Sequence, residues 1–312
     1  MKRITVLFLI VAFVIAGIVS CKSAPATPPA PPPPADIPNP EVGPTVSVTI
    51  PELFSPDPDI EGDKMTIKIA IEHSAPIRDW AITVQPNRGQ NQATQAQRQE
   101  GERTQRQSGG GRQGGRRAAF FEQRGTGTPP ADWQWDGKGT SGEMVMSAMD
   151  YRFVLSVNDA FGNNTVSEGI IEVDIIVRRE GENLRIIVPS IVFPPNSANF
   201  TLLSQEDQRA NTRIMNMIAR SLNKFSDYRI VVEGHANPTT APNSAARNRE
   251  NAILKSLSEE RAGAVVNQLV TSNNISRERL SATGIGGDKT VAAHDDSEEN
   301  WKNRRVEFLL IK

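Results

Sequence analysis

Ile230-Val231-Val232-Glu233-Gly234-His235-Ala236-Asn237 and, further on, Leu257-Ser258-Glu259-Glu260-Arg261-Ala262 are the stretches that decide the fold. The first reads as an apolar strand that runs into a Gly turn and leaves through polar residues. The second reads as part of a helix, with Arg261 set inside an otherwise amphipathic pattern. Such a layout puts a polar side chain at a strand's carboxyl end beside a cation on the neighbouring helix. It suits a small zwitterionic ligand.

Outward from these stretches, residues 184–312 alternate strand and helix patterns. Leu184 to Phe193 reads as a strand, and Ser204-Gln205-Glu206-Asp207 as a helix start with a cap and first-turn acids. Ile214, Met217, Ile218 and Leu222 continue that helix at helical spacing. Tyr228 to Gly234 is the next strand, and a polar-rich helix runs from about Ser244 to Ser272. Arg279 to Gly284 and Val306 to Ile311 supply the last two strands. The order predicts a βαβαββ sheet with helices on one face. Gly284-Ile285-Gly286-Gly287 after a strand hints at a phosphate loop, but no Lys-Ser/Thr follows, so a tight turn is expected.

The words Ile191-Val192-Phe193 with Asn196-Ser197, Val232-Glu233-Gly234-His235, Leu257-Ser258 with Arg261-Ala262, Gly284-Ile285-Gly286-Gly287, and Asn303-Arg304-Arg305-Val306-Glu307 occur in one order. In that order they resemble the OmpA-like C-terminal domain family across residues 184–312. The resemblance implies non-covalent binding of peptidoglycan through the diaminopimelate of its peptide stem. In that family an Asp after Gly-His-Thr takes the ligand's ammonium, and the Arg of Leu-Ser-x-x-Arg-Ala takes its carboxylate. Carried onto this chain, the implied ligand-binding residues are Arg261, Asn237, Asn196 and Arg304.

This chain departs from the family motif at Ala236-Asn237, which stands where Thr-Asp is usual. Asn still accepts a hydrogen bond from an ammonium, but the ion-pair attraction is gone, about 4 kcal/mol at 4 Å for an effective dielectric near 20 before desolvation. The interval from Asn237 to Leu257 is also longer than usual, and Leu254 stands where the family has Asn before Leu-Ser. Arg261 and Asn303-Arg304-Arg305 are intact. Carboxylate recognition is therefore expected to persist, with amine recognition weakened or altered.

Residues 45–178 alternate with period two. The runs are Val46 to Ile50, Met65 to Ile71, Trp80 to Val84, Tyr151 to Val157 and Ile170 to Val177, between Gly, Pro, Asn and Asp turns. This predicts a β-sandwich. Phe54-Ser55-Pro56-Asp57, Pro76 to Trp80, Trp135-Asp136-Gly137 and Asp159 to Asn163 resemble the FlgD-like, immunoglobulin-type modules of secreted bacterial proteins. That resemblance implies a spacer or interaction module without chemistry. Asp57 to Asp63 places acids at alternate positions before Gly62, as calcium loops do. Lys68 holds the twelfth position and Pro58 spoils the match, so an acidic hairpin loop is expected and no metal.

Residues 87–127 hold eight Arg against three Glu, amid Gln and Gly, and are expected to form a disordered surface loop. Its Arg/Gly word resembles nucleic-acid tails, but a secreted lipoprotein meets little nucleic acid and aromatics are confined to Phe120 and Phe121, so no nucleic-acid partner is expected. Contact with an anionic surface polymer is the alternative to a plain surface insertion.

Before this module, residues 21–44 are Pro-rich and predict a polyproline II stalk, at ~3.1 Å per residue on the order of 60 Å long. Met1-Lys2-Arg3 followed by the apolar Ile4 to Val19 reads as a signal peptide over residues 1–20. Val19-Ser20-Cys21 resembles a bacterial lipobox, which implies lipidation of Cys21. Two or three acyl chains, each contributing about 0.8 kcal/mol per buried CH₂, anchor a protein stably. Lys22 after the Cys leans towards the outer membrane, with the rest of the chain facing the periplasm.

The totals narrow the function class. A chain of 312 residues holds about two domains plus tails, and a net charge of −1 selects no polyanion partner. One cysteine excludes a disulfide framework, and three separated histidines with no His-Glu-x-x-His run argue against metal catalysis. His235 is expected to be structural, and Glu233, on the same strand face, to pair with Arg304 or Arg305. No nucleophile–base pair or metal cluster stands out, so no enzyme is expected; the OmpA-like and lipobox resemblances together imply a wall-binding, lipid-anchored envelope protein of α+β fold. The rival is a divergent OmpA-like scaffold that has lost peptidoglycan binding and binds an envelope protein, with the Ig-like module and the Arg-rich loop as the interaction surface.

Overall fold

The computed structural model describes residues 42–57, 63–87, 119–242, 244–297 and 299–312. The expected signal peptide, the lipidated Cys21, nearly all of the Pro-rich stalk, residues 88–118 of the Arg-rich segment and the centre of the acidic loop lie outside them. Among the described residues no helix is long and apolar enough to cross a membrane.

The first seven strands are β1 (Thr45–Thr49), β2 (Met65–Glu72), β3 (Ile77–Pro86), β4 (Phe121–Thr126), β5 (Asp132–Trp135), β6 (Asp150–Asp159) and β7 (Asn164–Glu172). They form two antiparallel sheets, β1-β2-β5 and β4-β3-β6-β7. Alternate residues point to a shared core. Ile67, Trp133 and Trp135 come from the first sheet, and Ile82, Val84, Tyr151, Phe153 and Leu155 from the second. Each such side chain contributes about 1.5–3 kcal/mol on full burial, which fixes the register, because a one-residue slip would turn the whole set outward.

Two expectations for this half are corrected. Phe121–Thr126, read from sequence as part of the loop, is a strand paired with β3 from Val84 to Asp79. Its inward anchor is Phe121, with ring centroids 5.7 Å from Trp133 and 5.9 Å from Trp135. Gly125 leaves room for the Trp80 ring, which a Cβ there would overlap. The single run Ile170 to Val177 is also divided. β7 ends at Glu172, and Val177 opens β8 (Val177–Glu180), which pairs with β9 (Asn183–Val188) in a different sheet.

That sheet has the order β11-β10-β12-β9-β8, with β10 (Arg229–His235), β11 (Leu280–Gly286) and β12 (Val306–Ile311). β10 and β11 are parallel and the other pairs antiparallel, as a βαβαββ chain order with one leading strand requires. Helices α1 (Gln205–Asn223) and α2 (Ala245–Asn273) supply Ile214, Ile218, Leu222, Val265, Val266 and Leu269 to one core. That core includes Ile186, Ile230, Val232, Phe308 and Leu310 of the sheet, so both helices lie on one face. Ser204 caps α1 by accepting from the Asp207 amide at 3.1 Å, and Ser244 caps α2 by accepting from Arg247 at 3.0 Å. The strand expected from Leu184 to Phe193 stops at Val188, because Pro189 has no N–H to give the ladder. Ile191 and Val192 remain buried, and buried Asn211 of α1 bonds both the N–H and the C=O of Val192. The architecture is mixed α/β, with β-sheets in the N-terminal part.

Candidate binding site

Two glycines bring α2 down onto the sheet. A Cβ on Gly234 would overlap the backbone oxygen of Ser258, and one on Gly284 the backbone oxygen of Lys255. Ser258 is fully buried, and its Oγ accepts from the Gly286 amide at 2.9 Å while donating to Lys255 O. This staple sets the rotation of α2, and Arg261 follows it one turn later on an adjacent line of the helix surface.

Arg261 is held by backbone. Its Nε donates to Ser197 O at 3.2 Å and its Nη2 to Pro194 O at 3.1 Å. The guanidinium lies 5.1 Å from the centre of the Phe193 ring. Burial, then the charge of Arg304, push the Arg261 pKa down to about 10, with Glu260 opposing them. Burial likewise lowers the pKa of Arg304. Among the described residues no carboxylate forms a salt bridge with either guanidinium, and the Arg304 side chain makes no hydrogen bond. Two half-buried cations near each other, with no ion-paired carboxylate among the described residues, form a place where an anion would be stabilised.

The other expected ligand residues sit as follows. Asn196 is the exposed tip of the 194–197 turn whose carbonyls hold Arg261, in the left-handed region at φ 51°, which Asn tolerates better than most residues. Asn237, at the exit of β10, has both polar atoms engaged. Its Nδ2 donates to His294 O at 3.1 Å, and its Oδ1 accepts from Asn303 Nδ2 at 2.8 Å. Asn303 is fully buried and accepts from the amides of Val291 and Ala292 at 2.7 and 3.0 Å. The Asn237–Asn303 pair therefore latches the 291–303 segment to the end of β10, next to Arg304. The structure brings Arg261, Arg304 and the Asn196 turn to one place and ties Asn237 into the adjoining wall.

Sequence reasoning missed Phe193 as the platform for Arg261, the carbonyls of Pro194 and Ser197, and Asn303 as the partner of Asn237. Asn303 carried a signal, since it opens the Asn-Arg-Arg word. Backbone carbonyls carry none.

Glu233 does not pair with Arg304 or Arg305. Its partner is Arg185, whose Nη1 lies 2.7 Å from Glu233 and 2.6 Å from Glu307, while Arg305 Nε donates to Glu307 at 2.6 Å. The two glutamates face each other across β10 and β12, a repulsive register that Arg185 neutralises. His235 sits in the same cluster with both ring nitrogens lacking a hydrogen bond. Burial, then Arg305, lower its pKa to about 4, despite the opposing charge of Glu307. The ligand atoms of Glu233, His235 and Glu307 come within 4.8 Å of one another. A divalent cation there would meet two guanidiniums that already balance both carboxylates, so the donor set fits an ion network better than a metal.

Comparison with known proteins bears on this half of the chain. The OmpA family matches residues 192–304. Among solved structures, a putative MotB-like protein from Desulfovibrio vulgaris is 21% identical, with a TM-score of 0.34 over 44% of this chain and 78% of that one. The cell wall anchor of the T6SS from Pseudomonas aeruginosa is 22% identical, with a TM-score of 0.34 over 44% and 87%. An outer membrane protein from Borrelia burgdorferi B31 is 24% identical, with a TM-score of 0.29 over 44% and 97%. No curated protein matches the chain. Residues 192–304 of this chain form an OmpA-family domain.

Proposed function

We propose that this is a non-catalytic envelope protein whose OmpA-family domain binds peptidoglycan by a carboxylate of the peptide stem. The observation that carries this is the pair Arg261 and Arg304, two half-buried guanidiniums without a carboxylate partner among the described residues. A stem carboxylate would relieve that charge through the fork geometry of the guanidinium. Asn196 lies on the rim of the same turn, and Asn237 shapes the wall while its amide stays engaged with the 291–303 segment. On this reading the ligand's amine has no ionic partner at position 237.

The remaining parts of the proposal rest on sequence and on the sheet arrangement. Residues 1–20 act as a signal peptide, Cys21 carries lipid, and residues 21–44 form a stalk from the outer membrane into the periplasm. The three-stranded and four-stranded antiparallel sheets around one core support an immunoglobulin-like spacer in the N-terminal module. Lipid at one end and a polymer of many equivalent stems at the other make weak single-site binding sufficient, through effective concentration. A second reading, favoured by the engaged amide of Asn237, keeps the fold as a scaffold for an envelope protein that docks on the Ig-like module.

Co-sedimentation of the full chain with purified sacculi separates the two. The wall-binding reading expects retention that falls at least tenfold in Arg261→Ala. A wild-type protein that stays in the supernatant would leave only the scaffold reading.

A further inference from the structure

The strand-to-helix connection before α1 builds a second concavity that the carboxylate site does not use. It has a volume of about 170 Å³ and lies between the 200–202 turn, α1 and α2. Taking roughly 30 Å³ per water in the liquid, it has room for five or six waters, about the size of one pyranose ring. Its polar lining is Thr201, Gln208, Asn211, Thr212 and Gln268, with Phe200 and Met215 as the apolar part. None of these groups titrates.

Several of the polar atoms are already assigned. Asn211 is spent on Val192, the Thr212 hydroxyl donates to Gln208 O, and Thr201 donates to Asn199 Oδ1. Gln208 and Gln268 each use one N–H, on Leu203 O and Ser272 Oγ. Among the described residues, the side-chain carbonyls of both glutamines accept no hydrogen bond. Each glutamine also keeps a second N–H, and the threonine oxygens keep acceptor lone pairs. A wider depression lined by Gln205, Gln208, Arg209 and Thr212 shares two residues with this pocket and extends it along α1.

Uncharged amides and hydroxyls beside an aromatic ring offer both donors and acceptors without an ion pair, which matches a neutral ring bearing several hydroxyls. The pocket itself holds no charged side chain to balance an ionic ligand, and Arg209 lines only the wider depression beside it. The ring of Phe200 stacks on Phe193 at 5.1 Å between centroids, and Phe193 is the ring beside which Arg261 sits. One aromatic strut thus joins the uncharged pocket to the cationic site.

We propose that the pocket lined by Phe200, Thr201, Gln208, Thr212 and Gln268 is a subsite for a neutral sugar, linked to the carboxylate site through the stacked rings of Phe200 and Phe193. The pocket's own chemistry stands without the carboxylate site. Only its pairing with a stem peptide, so that one polymer engages both, rests on the wall-binding reading.

The test uses the full chain and two probes, an uncharged N-acetylglucosamine tetramer and a free diaminopimelate-containing stem peptide. Saturation-transfer and shift-perturbation NMR are expected to show saturable sugar binding with shifts at Gln208, Thr212 and Gln268. The Gln208→Ala/Gln268→Ala double variant is expected to weaken the tetramer at least tenfold. It should leave stem-peptide affinity unchanged. Arg261→Ala should do the reverse, losing the peptide and keeping the sugar. No saturable tetramer binding, or equal binding by the double variant, would overturn the subsite even if the peptide still binds. A wild-type chain that binds the tetramer but not the stem peptide would overturn the carboxylate site and leave the subsite standing.

Discussion

Replacing Asn237 by Asp separates two roles for one side chain. If position 237 received a ligand amine, Asn237→Asp would restore an ionic partner and tighten wall binding without harming the fold. The structure argues for a different outcome. The Asn237 amide nitrogen donates to His294 O, and a carboxylate cannot donate. The substitution loses that bond and sets a negative charge against a carbonyl oxygen. It keeps only the Asn303 bond, which a carboxylate still accepts. One lost hydrogen bond contributes about 0.5–1.5 kcal/mol, and a buried group left unsatisfied costs about 1–3 kcal/mol. Residue 237 is half-buried and His294 O keeps a long contact with Asn300 Nδ2 at 3.5 Å, so the cost, with the added charge repulsion, is about 2 kcal/mol. At about 2–4 °C per kcal/mol, the thermal midpoint should fall by about 4–8 °C. Differential scanning calorimetry of the full chain reads this directly, with sacculi binding measured in parallel. A midpoint equal to or above wild type, together with tighter binding, would refute the latch and return Asn237 to the ligand.

Three further outcomes follow from the geometry. Gly234→Ala should destabilise by about 3 kcal/mol, the upper range for overpacking, because the new Cβ meets backbone of Ser258 that cannot move without lifting α2; an unchanged denaturant midpoint would contradict the close approach. Glu250 accepts from the amides and hydroxyls of Thr239 and Thr240; burial raises its pKa, but these bonds outweigh it and hold the value at about 2. Because the folded value lies below the ordinary 4.5, its contribution is present above pH 4.5 and is lost as pH falls towards 2, so Glu250→Gln should flatten that part of the stability profile. His235, held near 4 against an ordinary 6.5, gives a second acid-side loss as pH falls from 6.5 to 4, which His235→Gln should remove; an unaltered profile would place the ring elsewhere than in the ion cluster.

Much of the C-terminal half was legible because its patterns repeat. The switch between a period near two and a period near 3.6 marks β9, α1, β10, α2, β11 and β12 in order, and Ser204 and Ser244 mark the helix starts. Arg261 was legible from the resemblance of Leu257-Ser258 with Arg261-Ala262 to the family motif. What failed was whatever depends on a single apolar residue or on distant backbone. β4 has one large inward side chain, Phe121, in a stretch otherwise rich in Gln, Arg and Gly, so alternation had nothing to repeat. The carbonyls that hold Arg261 come from residues 64 and 67 positions earlier, and the partner of Asn237 from 66 positions later. Arg185 was invisible as the partner of Glu233 for the same reason, since their strands become joined only through β12.

The claim that Arg261 and Arg304 receive a carboxylate is tested most directly by calorimetric titration of the full chain with two stem peptides. They should be identical except that in one the diaminopimelate side-chain carboxylate is amidated. Amidation removes the charge and one acceptor while keeping size and amine. The account predicts at least tenfold weaker binding of the amidated peptide to wild type, and no difference between the two peptides in Arg261→Ala/Arg304→Ala. Equal affinity of wild type for both peptides would contradict it.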